Sequence, residues 1–142
     1  MDKFKYKVFH LIHLQKQKGV KMTGFKSRRF HIIVDANNCD SALITDKDLV
    51  SKAIRDIAKL CKMKVLHGPV VMEGMPINPG LTGFAIIDFS HISIHTFVPS
   101  NEICVDIFSC KDFNRNIVEK YVKEAFKLDR ATTRIIDVKH RN

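Results

Sequence analysis

From Arg28 onward the spacing of apolar and polar residues separates strands from helices. The run "RRFHIIVDA" is rich in β-branched and aromatic residues and reads as a strand, ended by the turn-forming "NNCD". In "TDKDLVSKAIRDIAKLCK", Leu49, Ile54, Ile57, Ala58 and Leu60 recur at helical spacing behind a capping Thr45 or Asp46, which predicts an amphipathic helix. Strand character returns in "MKVLHGPVVMEG", where Pro69 implies an edge position or a bulge because it cannot donate to a ladder. Two prolines and two glycines make "MPINPGLTG" a loop. The runs "FAIIDF", "HISIHTF" and "EICVDIFSC" follow as strands, the last two joined by a turn at "VPSN". "NRNIVEKYVKEAFK" is a second amphipathic helix and "TTRIIDVK" a final strand.

Strands from a succession of short hairpins pair antiparallel, and two helices of similar length cover one face of such a sheet. The predicted fold is therefore α+β, a two-layer sandwich with a mainly antiparallel sheet and both helices on one face. The other face needs a cover, and a second copy of the chain would supply one. The sandwich is assigned to residues 28–142 and the segment 1–27 is read as a separate extension.

Charge sharpens that boundary. The formal net charge is +9, yet the first 30 residues carry nine Lys and Arg against Asp2 alone, while the remainder holds fifteen basic and fourteen acidic groups. The extension is thus a basic arm on a nearly neutral domain, with an apolar stripe of Phe4, Val8, Leu11, Ile12 and Leu14. It reads as a solvated arm or one that docks on its own domain or a partner subunit; contact with nucleic acid or another polyanion is the functional alternative. No apolar run approaches the roughly 20 residues of a membrane span, and no signal-peptide zones are present, so a cytoplasmic protein is expected. Cys39, Cys61, Cys104 and Cys110 show no CxxC pairing, which favours reduced thiols over disulfides or zinc.

The chemistry gathers on "DFSHISIHTF", Asp88 to Phe97. Ser90, His95 and the thiol of Cys110 supply a nucleophilic oxygen, a group that titrates near neutrality and a proton donor. Familiar hydrolases do not account for them: there is no GxSxG, and Asp88 and Asp106 are merely available as an orienting carboxylate. His91 and His95 lack the middle Glu and the helix of a zinc HExxH site. His31 and His67 read as satisfied strand histidines, and Cys39, Cys61 and Cys104 as small buried thiols. Asp106, set among apolar residues, must be paired or hydrogen-bonded.

The stretch "GLTGFAIIDFSHISIHTFVPSNEICVDIFSC" resembles the prokaryotic S-adenosylmethionine decarboxylases, which are pyruvoyl-dependent and self-processing. Their pattern runs Gly-Val-Ser-Gly, then Glu-Ser-His-Ile-Ser-Ile-His-Thr-Trp-Pro-Glu, then Asp-Val-Phe-Thr-Cys-Gly, and the register holds without insertion from Gly80 to Cys110. The resemblance implies that Ser90 attacks the carbonyl carbon of Phe89, that the ester formed is split, and that fragments 1–89 and 90–142 result, with a pyruvoyl group in place of Ser90. It further implies that His95 assists cleavage, that Thr82 supports it, that the pyruvoyl ketone forms a Schiff base with the substrate amine, and that Cys110 returns the proton after decarboxylation. A homodimer of cleaved protomers and a place in polyamine (spermidine) synthesis are implied as well.

Residue spacing adds one expectation. On a regular strand Ser90 and His95, five apart, point to opposite faces, so a kink or bulge is expected near Ser90 if both act on one bond. Four positions depart from the family pattern. Phe89 stands where Glu is usual. Phe97, Val98 and Pro99 replace Trp-Pro-Glu, removing a carboxylate associated with ribose recognition. Pro76, with Met75 and Ile77 nearby, occupies the place of an aromatic that stacks on adenine, and Lys111 replaces a Gly. Three functions follow from these readings: decarboxylation of S-adenosylmethionine, decarboxylation of another amino acid such as arginine or ornithine by the same means, or an unprocessed binding or regulatory protein.

Overall fold

The computed structural model describes residues 28–140. The basic arm, residues 1–27, lies outside them. Strand alternation sets the architecture. In Phe30–Ala36 (β1), Phe30, Ile32, Val34 and Ala36 are buried, while His31, Ile33 and Asp35 face the other way. Leu81–Ile87 (β3), Ser90–Phe97 (β4) and Glu102–Ser109 (β5) repeat this pattern and bury Leu81, Ala85, Ile87, Ile92, Ile94, Ile103, Val105 and Ile107 on the same side. With Val65–Glu73 (β2) and Thr133–Asp137 (β6) they form one six-stranded sheet in the order β2-β3-β4-β5-β1-β6, every neighbouring pair antiparallel.

The buried side is covered by helices. After a short turn of helix at Ser41–Ile44 (α1), Lys47–Leu60 (α2) starts at Asp46, whose carboxylate accepts from the Leu49 N–H. Val50, Ala53, Ile54, Ile57 and Ala58 form its buried stripe, while Leu60 at its end is exposed. Arg115–Ala125 (α3) is capped by Asn114 and buries Val118 and Val122. Each fully buried aliphatic side chain here contributes about 1.5–3 kcal/mol. Gly83 lets α2 approach β3 closely: a Cβ there would stand 2.7 Å from Val50 Cγ1 and 2.8 Å from Ile54 Cδ1. Both longer helices lie on one face, as the sequence order predicts.

β2 is an edge strand, and its pairing with β3 shifts register on both sides of His67, around Pro69, in line with the missing N–H. The loop from Gly74 to Gly80 is closed by the Gly74 N–H, which donates to the Gly80 carbonyl at 2.8 Å. Gly80 has φ 158°, and a Cβ would lie 2.0 Å from the Thr96 carbonyl oxygen, so that position admits no side chain. Thr96 is itself buried and accepts from the Leu81 N–H at 2.8 Å, which locks the start of β3 to the end of β4.

The opposite face carries Thr82, Phe84, Ile86, His91, Ser93, His95, Cys104, Asp106 and Phe108, with Phe84 43% and Ile86 46% exposed. Cys104 belongs to this open face rather than to the core, because its strand parity sets it opposite Ile103 and Val105. Among the described residues no helix is long and apolar enough to cross a membrane.

Candidate active site

The β3–β4 connection is a two-residue turn, Asp88 and Phe89, between Ile87 and Ser90. Asp88 pins it to the chain before β2: its N–H donates to the Lys64 carbonyl at 2.9 Å, and its carboxylate accepts from the Lys64 N–H at 3.0 Å. Ser90 pairs with Ile87 on one side and Ser109 on the other, and both ladders run from it without a break in register. The bulge expected from the sequence is absent. The irregularity lies in one dihedral instead: Ser90 has φ 144°, a region that L-residues other than glycine enter at a cost of about 1–3 kcal/mol.

That turn presents a carbonyl to a donor. The backbone N–H of Cys110 donates to the carbonyl oxygen of Phe89 at 2.9 Å, so the peptide that would be cut is already polarised. The next residue's Oγ, on Ser90, lies 3.1 Å from His91 Nδ1. Cys110 is held there by Ser109, which is buried and whose hydroxyl accepts from the Lys111 N–H at 2.9 Å and donates to the Lys111 carbonyl at 2.8 Å. Lys111 in turn donates to the Lys62 carbonyl and sets its ammonium 5.1 Å from the centre of the Phe89 ring. Phe89 and Lys111, two departures from the family pattern, therefore contact each other. The Cys110 thiol is exposed.

Thr82 and His95 form a second group. They face each other across the β3–β4 ladder, with Thr82 Oγ1 2.7 Å from His95 Nδ1, and the His95 ring meets Phe97 edge-on at 4.5 Å. His95 lies five positions along β4 from Ser90, about 17 Å at strand rise. The structure thus brings Ser90 together with Phe89 and Cys110, joins Thr82 to His95, and keeps the two groups at opposite ends of β4 within one protomer. A shallow cavity of ≈ 290 Å³ lies at the Thr82 end, lined among others by Met75, Pro76, Pro79, Leu81 and Val98. Glu73 is the carboxylate in its lining, and it is tied to Lys47 at 2.6 Å. Pro99 sits in the 3-10 turn Val98–Ser100 that follows β4.

A third group is invisible in the linear sequence. On the open face Asp106 Oδ2 is 2.7 Å from His31 Nε2, and Asp106 Oδ1 is 3.7 Å from His91 Nε2. Oδ1 is buried and accepts no hydrogen bond. His31 continues to His140, Nδ1 to Nε2 at 3.1 Å. The pairing expected for Asp106 is found, together with one unsatisfied oxygen. Only strand register brings these residues together, and register is not written in any one segment. The other thiols are held neutral: burial pushes the Cys61 thiol up to about 11 and raises Cys39 and Cys104 in the same direction, Cys104 standing across the β4–β5 ladder from His95. Among the described residues no cluster of His, Cys, Asp and Glu could hold a metal ion.

Comparison with known proteins agrees with the motif. A family profile described as S-adenosylmethionine decarboxylase matches residues 30–138. An S-adenosylmethionine decarboxylase proenzyme of Thermodesulfovibrio yellowstonii is 27% identical over 99 residues, 68% of this chain and 70% of that one. The proenzyme of Thermococcus kodakarensis is 28% identical over 107 residues, covering 75% and 73%. In three dimensions the chain is similar to the crystal structure of the adenosylmethionine decarboxylase from Aquifex aeolicus, with a TM-score of 0.64 and 21% identity over 82% of this chain and 98% of that one. That likeness shows the fold.

Proposed function

This chain belongs to the S-adenosylmethionine decarboxylase family, and on that basis we propose that it is a proenzyme that cuts itself between Phe89 and Ser90 and decarboxylates S-adenosylmethionine. The observation that carries the reading is the hydrogen bond from the Cys110 N–H to the Phe89 carbonyl. Attack by Ser90 Oγ places negative charge on that carbonyl oxygen, and a donor already in position stabilises it without reorganisation. The φ of Ser90 adds ground-state strain at the same bond.

The residues suit a pyruvoyl group derived from Ser90. The serine is part-exposed at the head of a strand, and its hydroxyl is not committed to the core. Once the ester has formed, removal of the α-proton of Ser90 expels the Phe89 carboxylate, and hydrolysis of the resulting enamine releases ammonia and leaves the ketone. A pyruvoyl ketone supplies the electron sink for the carbon left behind by carbon dioxide. Cys110, whose N–H meets the Phe89 carbonyl, is the residue assigned to return a proton through its exposed thiol.

Thr82 and His95 enter through a second copy. A two-fold axis between two open sheet faces, running across the strands, sets Ser90 of one protomer opposite the partner's His95, at the roughly 10 Å spacing of stacked sheets. The exposed Phe84 and Ile86 would be covered by the same contact. In this arrangement the imidazole of the partner's His95, oriented by the partner's Thr82, removes the α-proton.

A second reading, decarboxylation of an amino acid such as arginine or ornithine, is favoured by the cavity at the end of β4. The Pro99 side chain supplies no acceptor for a ribose, and Glu73 is engaged by Lys47. The mass of freshly purified protein tests the first claim: fragments 1–89 and 90–142, the second blocked by a ketoacid, are expected, and a single uncut chain supports a binding or regulatory protein instead. Carbon dioxide release from S-adenosylmethionine, arginine and ornithine, measured side by side, then separates the two substrate readings.

A further inference from the structure

We propose that His91 is the base that takes the hydroxyl proton of Ser90 when the chain cuts itself, and that Asp106 is the positioning residue that orients His91 and balances its charge. The proposal rests on the self-cleavage reading above. His91 Nδ1 lies 3.1 Å from Ser90 Oγ, whereas the His95 of the same protomer sits five residues along the strand. Neighbouring residues of a regular strand point to opposite faces; the φ of 144° at Ser90 is what turns its hydroxyl toward the imidazole on the open face.

His91 is held for this task. Its ring is stacked between Phe84 of β3 and Phe108 of β5, with centroids 5.5 Å and 5.7 Å away and planes 19° and 26° apart. To accept at Nδ1 it must carry its proton on Nε2, which points at Asp106 Oδ1, 3.7 Å away. That oxygen is buried and otherwise unpaired, a costly state that the imidazole N–H relieves with a small movement of the ring. Hydrogen bonds of this kind are commonly long before reaction and tighten in the reacting state. The other carboxylate oxygen is taken by His31 of β1, which is backed by His140 from the segment after β6. Among the described residues these are the titratable groups in contact with His91; β3 sets Phe84 and Ile86, the register partner of His91, beside it, and His67 of β2 pairs with Ile86 one strand further out. Lys111, whose ammonium stands over the Phe89 ring, is engaged by the Lys62 carbonyl.

The step balances without an outside reagent. The proton of Ser90 Oγ moves to His91 Nδ1 as the Oγ–C bond to Phe89 forms, and the carbonyl electron pair moves onto the oxygen held by the Cys110 N–H. When that pair returns, the C–N bond breaks and Nδ1 gives its proton to the departing nitrogen of Ser90. An amide has become an ester and an amine, with no net change in protons or electrons.

The test follows cleavage of the full-length chain after synthesis in a cell-free system, as a function of pH and with or without hydroxylamine, which cuts esters and spares amides. For His91→Gln, cleavage about 10²–10⁴-fold slower is expected, with loss of the slowing on acidification that an imidazole base imposes and no acceleration by hydroxylamine. Added imidazole should partly restore His91→Ala. Asp106→Asn, close to isosteric, covers the case in which the histidine variants do not fold, and should slow cleavage by about 10-fold or more. A His91→Gln chain that cleaves at the wild-type rate, or builds up a hydroxylamine-sensitive ester, overturns the role of His91, and Asp106→Asn at the wild-type rate overturns that of Asp106. A wild-type chain that stays whole overturns the self-cleavage reading itself.

Discussion

The backbone N–H of Cys110 reaches the carbonyl oxygen of Phe89 at 2.9 Å, across the gap between the end of β5 and the β3–β4 turn. On the proposed mechanism one residue thereby serves both halves of the chemistry, its main chain at the bond to be cut and its exposed thiol in the decarboxylation that follows. The two functions can be separated, because a substitution changes the thiol and keeps the N–H.

Cys110→Ala is accordingly expected to mature at close to the normal rate while decarboxylation falls by about 10²–10⁴-fold, the usual contribution of a placed proton donor. Fragment analysis and carbon dioxide release on the same preparation check this. Loss of cleavage in a folded variant would mean that the thiol, not the N–H, serves the cut.

The distance along β4 between Ser90 and His95 predicts complementation. On the shared-site dimer proposed above, Ser90→Ala alone cannot form the ketone and His95→Ala alone lacks the base. Co-expressed, they should form mixed dimers in which one site holds an intact Ser90 and the partner's intact His95. Cleaved His95→Ala chains are expected in the mixture, up to all of those in mixed dimers, and none in either variant alone.

Thiol reactivity should follow burial. Cys110 is exposed, whereas burial pushes Cys61 up to about 11 and raises Cys39 and Cys104. Since the thiolate is the nucleophile, a raised value leaves a smaller reactive fraction near neutrality. Limited alkylation of the folded protein at pH 8, read by peptide mass, should modify Cys110 first and Cys61 only once the protein unfolds.

Tyr121 and Asp56 set a pH window for stability. The Tyr121 hydroxyl donates to Asp56 Oδ2 at 2.7 Å, joining α3 to α2. Burial, then the hydrogen bond to Asp56, raises the phenol, so its contribution is complete below the unfolded value of about 10 and is lost as pH rises beyond it. Asp56 is lowered, first by its hydrogen bond to Lys52 and then by that to Tyr121, so its contribution is present above the ordinary carboxylate value of about 4 and declines as pH falls. Tyr121→Phe should flatten the alkaline limb of a denaturation-midpoint profile and cost about 1 kcal/mol at neutral pH.

Local signals in the chain were legible and long-range ones were not. The period of Val50, Ile54 and Ile57 located α2, the strand runs located β1 and β3 to β6, and Pro69 correctly marked β2 as an edge. Ser90, His95, Thr82 and Cys110 could be chosen because their motif is contiguous. The placement of β1 between β5 and β6, and the register that sets His31 and His91 on either side of Asp106, depend on β1 pairings between residues 67 to 105 positions apart and leave no trace in any window. The expectation of a kink or bulge at Ser90, which the structure meets with one dihedral and an unbroken ladder, has the same origin. It assumed that Ser90 and His95 serve one bond within one chain, a requirement that the shared-site dimer proposed above removes.

The sheet order has a last consequence for a molecule nicked after Phe89. The first piece holds β1, β2 and β3, the second β4, β5 and β6, and in the order β2-β3-β4-β5-β1-β6 the pieces alternate like clasped fingers. Three ladders, β3 with β4, β5 with β1 and β1 with β6, run from one piece to the other. Severing the backbone therefore frees a new chain end at the head of β4 without releasing either half, and the mature molecule stays as a single woven body.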